Sequence, residues 1–137
     1  MYRAVDQHGQ VIDVLVSERR DAAAARAFFT RALTHAPAPV EVTTDRAPAY
    51  PRVIAEHAPR ARHVHEQYAN NVVEADHGRL KARLRPMRGL KTIRAARTIA
   101  AGHAFVQNLR RGHYEITAAL PVHDRVRAAF DELTPCL

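Results

Sequence analysis

The chain has 137 residues, 47% of them hydrophobic, and 21 Lys plus Arg against 14 Asp plus Glu give a formal charge of +7 and a sequence pI near 10.5. That length suits one domain with a real core and is too short for two, and the charge makes a polyanion such as nucleic acid the first partner to consider, although an Arg-rich proteome would account for it as well. One cysteine, Cys136, excludes a disulfide framework or a cysteine-based zinc site within the chain, and with no long apolar run or signal pattern the expectation is a reduced, cytoplasmic setting without a membrane partner.

Tyr2 to Asp6 and Val11 to Val16 read as two strands around Gln7-His8-Gly9-Gln10, which predicts an antiparallel hairpin. Asp21 caps an Ala-rich amphipathic helix, Ala22 to His35, with Phe28, Phe29 and Leu33 near one face and Pro37 and Pro39 ending it. Val40 to Thr43 reads as a short strand whose end delivers Asp45. Pro51 opens a short helix through about His57, and Ala61 to Glu66 is a weak strand candidate. Asn70 or Asn71 caps a helix to Arg85, broken by Pro86 and Gly89. Thr92 begins a longer helix through about Arg111, whose Ile93, Ala96, Ile99, Ala100, His103, Ala104, Val106 and Leu109 form an apolar stripe. A last helix, about Val122 to Leu133, reads as an appendage. The order describes an α/β layer domain and fits several folds.

Asp45 at a strand end and Glu74, 29 residues later on a helix, are the two carboxylates that stand out. Carboxylates converging from a strand and a helix hold magnesium, which takes oxygen ligands and keeps positions open for water and phosphate. Two such ions on three carboxylates activate the attacking oxygen and stabilise the leaving one in a phosphodiester displacement. On spacing alone, an Asp capping a turn and a Glu paired along a helix explain the same residues. His77, one turn from Glu74, either touches a phosphate or makes a local hydrogen bond. A zinc site from His63, His65 and His77 lacks the usual paired spacing. Arg79, Lys81, Arg83, Arg85, Arg88, Lys91, Arg94 and Arg97 place eight positive charges in 19 residues with no acid after Asp76, which fits a DNA backbone or a solvated helix face. Nothing in the run resembles a base-reading module.

The words around these residues carry a resemblance. Thr44-Asp45-Arg46-Ala47-Pro48-Ala49-Tyr50-Pro51, Asn70-Asn71-Val72-Val73-Glu74-Ala75-Asp76-His77-Gly78-Arg79-Leu80-Lys81 and Arg85-Pro86-Met87-Arg88-Gly89-Leu90-Lys91-Thr92 resemble the catalytic core of bacterial and archaeal DDE transposases of the insertion-sequence-six type. Tyr2-Arg3-Ala4-Val5-Asp6 followed by Gly9 is similar to that family's second and third strands. The resemblance covers residues 2 to about 114, so residues 1–114 are expected to be a partial catalytic domain and 115–137 a C-terminal appendage. It implies a ribonuclease-H-like, integrase-type fold with a mixed sheet flanked by helices, and a two-magnesium site with Asp45 as second and Glu74 as third acidic ligand. It also implies DNA cleavage and strand transfer at terminal inverted repeats, with DNA contacts from His77, Arg79, Lys81, Arg83, Arg85, Arg88, Lys91 and Arg94. A nucleoid-associated location follows.

Complete members begin with a helix-turn-helix reader and a strand bearing the first aspartate, and the expectation is that this chain starts after both. That strand would lie at the sheet's centre, between the hairpin's second strand and the first parallel strand, so its loss leaves two ladder edges unpaired. Neither Asp6, which caps the turn, nor Asp13, in mid-strand, is placed as its substitute. The leading reading is a truncated transposase inactive alone. The others are a non-catalytic DNA-binding or dimerising fragment that modulates a full-length transposase through Thr92 to Arg111, and a pseudogene product.

Overall fold

The structure is a computed structural model and describes residues 1–34, 36–65 and 71–136, with Val72 described in its backbone alone. Two short strands, β1 (Tyr2–Val5) and β2 (Val11–Leu15), form an antiparallel hairpin. The Asp6 carboxylate accepts from the His8 and Gln10 amides, and Gly9 supplies the positive φ of +83° that the turn requires. Helix α1 (Ala22–Leu33) starts where Asp21 Oδ1 accepts from the Ala24 amide at 2.8 Å. The chain continues through β3 (Glu41–Thr43), α2 (Tyr50–His57) and β4 (Arg62–Val64), with β4 parallel to β3. Helices α3 (Asn71–Leu84), α4 (Ile93–Arg111) and α5 (Val122–Leu133) follow. The α/β expectation holds, and the element order agrees with the sequence reading. His35, Glu66 and Asn70, named there as helix end, strand end and alternative cap, lie outside the described residues; Asn71 is the first residue of α3.

The core gathers Tyr2 from β1, Ala25, Phe28 and Phe29 from α1, and Val53 and Ile54 from α2, with Val42 of β3 packed against it. Tyr2 stacks on Phe28 at 5.6 Å between ring centroids, and Phe28 meets Phe29 edge-on at 5.7 Å. Outside this core, Arg26 grips Glu56 through two hydrogen bonds of 2.6 and 3.1 Å, tying α1 to α2. Arg26 first, with help from Arg52, pulls the exposed Glu56 carboxyl down to about 2.

The strands form two separate two-stranded ladders, one antiparallel and one parallel, and no strand among the described residues pairs with both. The hairpin differs from the expected gap beside its second strand. The Asn108 carboxamide of α4 takes the outer edge of β2 at Val11, with Oδ1 accepting from the amide at 2.8 Å and Nδ2 donating to the carbonyl at 2.9 Å. Asn108 therefore imitates one residue of a neighbouring strand, while neither outer edge of the hairpin faces a strand among the described residues.

The C-terminal segment packs on α4. Arg125 of α5 donates to the carbonyls of Leu120, Arg110 and Ala118, sealing the end of α4 where Gly112 turns at φ +78°.

Replacing Asn108 by leucine keeps the volume and leaves both Val11 backbone groups buried without partners. We expect a loss of about 2 kcal/mol or more in urea unfolding, whereas an exposed substitution on the same helix, such as Ala101→Ser, leaves the midpoint nearly unchanged.

Candidate functional site

Asp45 lies two residues past β3, at the start of the bend leading to α2. Its Oδ1 accepts from the Ala47 amide at 3.0 Å, so half of the carboxylate stabilises its own turn. Its Oδ2 faces Arg20 Nη2 at 3.3 Å, and the side chain remains 46% exposed. Thr44 donates to the Asp45 carbonyl and also meets His63 Nε2 at 2.7 Å, which ties this end of β3 to β4. The Tyr50 hydroxyl stands nearby, its pKa raised by burial first and by the Asp45 charge further down the order.

Glu74 projects from the first turn of α3, exposed, and makes no hydrogen bond or ion pair among the described residues. No described contact joins it to Asp45. The two carboxylates are thus both open to solvent, with Asp45 meeting Arg20 and Glu74 meeting no hydrogen-bonding or charged partner among the described residues. Among the described residues no group of three or more His, Cys, Asp or Glu is placed to hold a metal ion. His63 and His65 lie close, with ring centroids 5.6 Å apart, but the zinc trio with His77 does not form such a group.

What fixes α3 is Asp76, two residues beyond Glu74 and 1% exposed. A helix advances 100° per residue, so Asp76 points to the side opposite Glu74. Its carboxylate pairs with Arg3 Nε of β1 and accepts from Arg111 Nη2, at the end of α4, at 2.8 Å. Arg111 also donates to the Gly9 carbonyl of the hairpin turn. In the sequence Asp76 marks only the last acid before the basic run, and this role is not legible there because both partners are remote in the chain. The signal was an arginine inside a short strand, a residue seldom buried unless paired.

The Arg3 guanidinium is fully enclosed, with Nη1 and Nη2 free of hydrogen-bond partners. Burial lowers its pKa, Asp76 opposes that shift and Arg111 adds to it. His77 and His103 border the same cluster with their Nε2 atoms buried and unpartnered. Burial, then the Arg3 charge, depress both imidazoles below their ordinary value, and Asp76 opposes in each case. Lys81 and the Met1 amino group add to the effect on His77, and Arg83 and Arg111 to that on His103.

The basic run lies outward. Arg79, Lys81 and Arg83 on α3, Arg85, Arg88 and Lys91 in the connection, and Arg94 and Arg97 on α4 are all exposed. None forms an ion pair with an acid among the described residues. Lys81 lies seven residues from Glu74, almost two full turns, and so shares its face. His77 differs from the cations, standing half-buried behind them. Between Glu74 and Lys81, Gly78 leaves open space, with nothing within 4 Å of where a Cβ would be.

This arrangement of an acid at a strand end, an acid on a following helix and a basic row beyond it coincides with a family match. A family model described as a DDE domain matches residues 1–113. The chain belongs to the DDE transposases of the insertion-sequence-six type. It is 28% identical over 130 residues to the transposase for insertion sequence-like element IS431mec of Staphylococcus aureus, covering 90% of this chain and 58% of that protein. The same identity and coverage relate it to the transposase for insertion sequence element IS257 in transposon Tn4003, also of Staphylococcus aureus. The transposase chain therefore spans less than two thirds of the length of these curated relatives. No solved structure matches it. Among the described residues, no helix is long and apolar enough to cross a membrane.

Removing the charge of Asp76 strands two guanidinium groups, one of them fully buried. Asp76→Asn is expected to destabilise the fold by about 3–5 kcal/mol, read as the urea midpoint at pH 7.5. The histidines give a separate pH signature. Because their folded pKa values lie below the ordinary value near 6.5, the unfolded chain takes up protons first as pH falls. Their contribution is complete above pH 6.5 and is lost as pH drops through the folded values. We expect the midpoint to fall between pH 7.5 and 5.5, and to fall less in His103→Gln; equal slopes would contradict the assignment.

Proposed function

We propose that this transposase chain supplies part of a ribonuclease-H-like catalytic domain that cleaves DNA and transfers strands at the terminal inverted repeats of an insertion sequence. Asp45 and Glu74 act in it as the second and third acidic ligands. The observation that carries this reading is that Glu74 and Lys81 share the side of α3 opposite the buried Asp76, and that the cations from Arg79 to Arg94 are exposed and form no ion pair with an acid among the described residues. A phosphate backbone laid against this exposed row would meet Arg79, Lys81, Arg83, Arg85, Arg88, Lys91 and Arg94, and release counterions as these neutralise it. Gly78 leaves room for that backbone beside Glu74.

The donor chemistry fits magnesium, since both side chains offer exposed carboxylate oxygens, the hard ligands this ion takes. Bound there, magnesium would lower the pKa of the attacking water or hydroxyl and stabilise the departing oxygen. Asp45 would hold the ion through its exposed carboxylate, whose Oδ2 now faces Arg20 and whose Oδ1 accepts from the Ala47 amide and fixes its orientation. Among the described residues Glu74 carries no such restraint. With two acids brought to the reaction by residues 1–137, the chain on its own binds DNA and magnesium weakly and does not complete strand transfer. Another segment or chain supplies the third ligand.

The alternative of a dimerising module built on Thr92 to Arg111 has less support, because Ala100, Ala104 and Leu109 of that helix are already buried against β2 and α5.

Two measurements test the reading. Manganese, as a paramagnetic substitute for magnesium, should broaden NMR signals around Asp45 and Glu74, and either Asp45→Asn or Glu74→Gln should remove most of the effect; broadening that ignores both substitutions counts against the site. For DNA, the logarithm of the binding constant should fall linearly with the logarithm of salt, and each of Arg83→Ala, Arg85→Ala and Lys91→Ala should reduce the slope by about 1. Gly78→Ala should stabilise α3 by roughly 0.8–1 kcal/mol while weakening that binding, and a stabilised variant with undiminished affinity would show that the backbone does not approach there.

A further inference from the structure

The connection between α3 and α4 is a rigid turn with an apolar side chain at its tip. The amides of Met87 and Gly89 both donate to the Leu84 carbonyl, at 3.1 and 3.3 Å, and the Arg88 amide donates to Arg85 at 3.2 Å. Arg88 adopts a φ of +53°, and Gly89 follows at +81°. Two consecutive left-handed residues reverse the chain sharply, and a non-glycine residue held there is uncommon. Arg88 is the only such residue among those described.

Met87 is 51% exposed on this turn. A single exposed apolar side chain is ordinary on a protein surface. The other large ones, Ile12, Val40, Leu120, Val122 and Phe130, lie outside the basic run. Met87 lies within it, with exposed Pro86 beside it, Arg85 and Arg88 on either side, and no acidic residue from 77 to 114. An unbranched, polarizable thioether between two phosphate-binding groups has the chemistry of a wedge that enters a base step while cations hold the adjoining backbone. The capped turn fixes this geometry beforehand, which limits the entropy lost on binding.

We propose that the α3–α4 turn inserts Met87 between stacked bases of duplex DNA, with Arg85 and Arg88 on the flanking phosphates, so that the chain kinks the duplex it binds. The inference rests on the DNA-binding reading of the basic surface. It adds a distortion of the duplex that phosphate contacts alone do not produce, favoured at flexible pyrimidine–purine steps.

The test uses the 137-residue chain with short duplexes carrying 2-aminopurine at a central TA step and a fluorophore pair at the ends. Wild type should raise the 2-aminopurine emission and shorten the end-to-end distance by a kink of about 20° or more. Met87→Gln, an exposed change that leaves folding intact, should abolish both responses while keeping the salt slope; Met87→Leu should retain them. Equal responses from wild type and Met87→Gln, or binding by wild type with neither response, would overturn the wedge and leave the DNA surface standing. Absence of salt-dependent binding would overturn the surface and the wedge together.

Discussion

The Asp76 carboxylate, enclosed between Arg3 and Arg111, is the contact on which the rest of this arrangement depends. It joins three elements that share no hydrogen-bonded ladder, namely the first strand of the hairpin, the helix bearing Glu74 and the end of the long helix. Hydrophobic burial alone would hold α3 loosely, since its fully buried apolar contribution among the described side chains is Leu80, one turn from Asp76 on the same side. A buried ion pair adds little net stability over an apolar replacement, but removing one partner is costly. Its effect is directional. With Asp76 and Leu80 facing inward, helical geometry sends Glu74 and Lys81 outward.

The two sides of α3 thus have different tasks. The inner side fixes rotation and position by charge pairing and packing, and the outer side presents Glu74, Gly78 and Lys81. Exposed basic residues continue across the α3–α4 turn to Arg97 and form no ion pair with an acid among the described residues. Asp45 sits on a separate support, the end of β3, steadied by the Ala47 amide and by Thr44 bridging toward His63. The proposed reaction would require these two supports to approach each other around metal and phosphate.

Much of this was legible in the sequence because it is local. The Asp6 turn with Gly9, the Asp21 cap, Pro51 at the start of α2, the break at Pro86 and Gly89, and the 3.6-residue stripe of α4 are each set by residues within a few positions of one another. Asp45 and Glu74, the carboxylates of the proposed site, were singled out by the words around them. The remainder depends on remote partners. Asn108 closes the edge of a strand 97 residues earlier, and no periodicity marks that. Arg3 and Asp76 read as a strand residue and a helix neighbour, and only folding shows that they neutralise one another. The tail, expected as an appendage, sends Arg125 onto the Arg110 carbonyl at the end of α4 and onto those of Ala118 and Leu120 beyond it.

The central claim is that Arg3 and Asp76 act as one unit that orients α3. A double-mutant cycle with Arg3→Met and Asp76→Leu, followed by urea unfolding, addresses it directly. The account predicts that the double variant is more stable than the sum of the single losses implies, by a coupling of about 1–3 kcal/mol, since neither charge of the Arg3–Asp76 pair is then stranded, while Arg111 loses Asp76 equally in Asp76→Leu and in the double variant. Additive losses, within about 0.5 kcal/mol, would show that the two side chains do not depend on each other and would remove the basis for the orientation of Glu74.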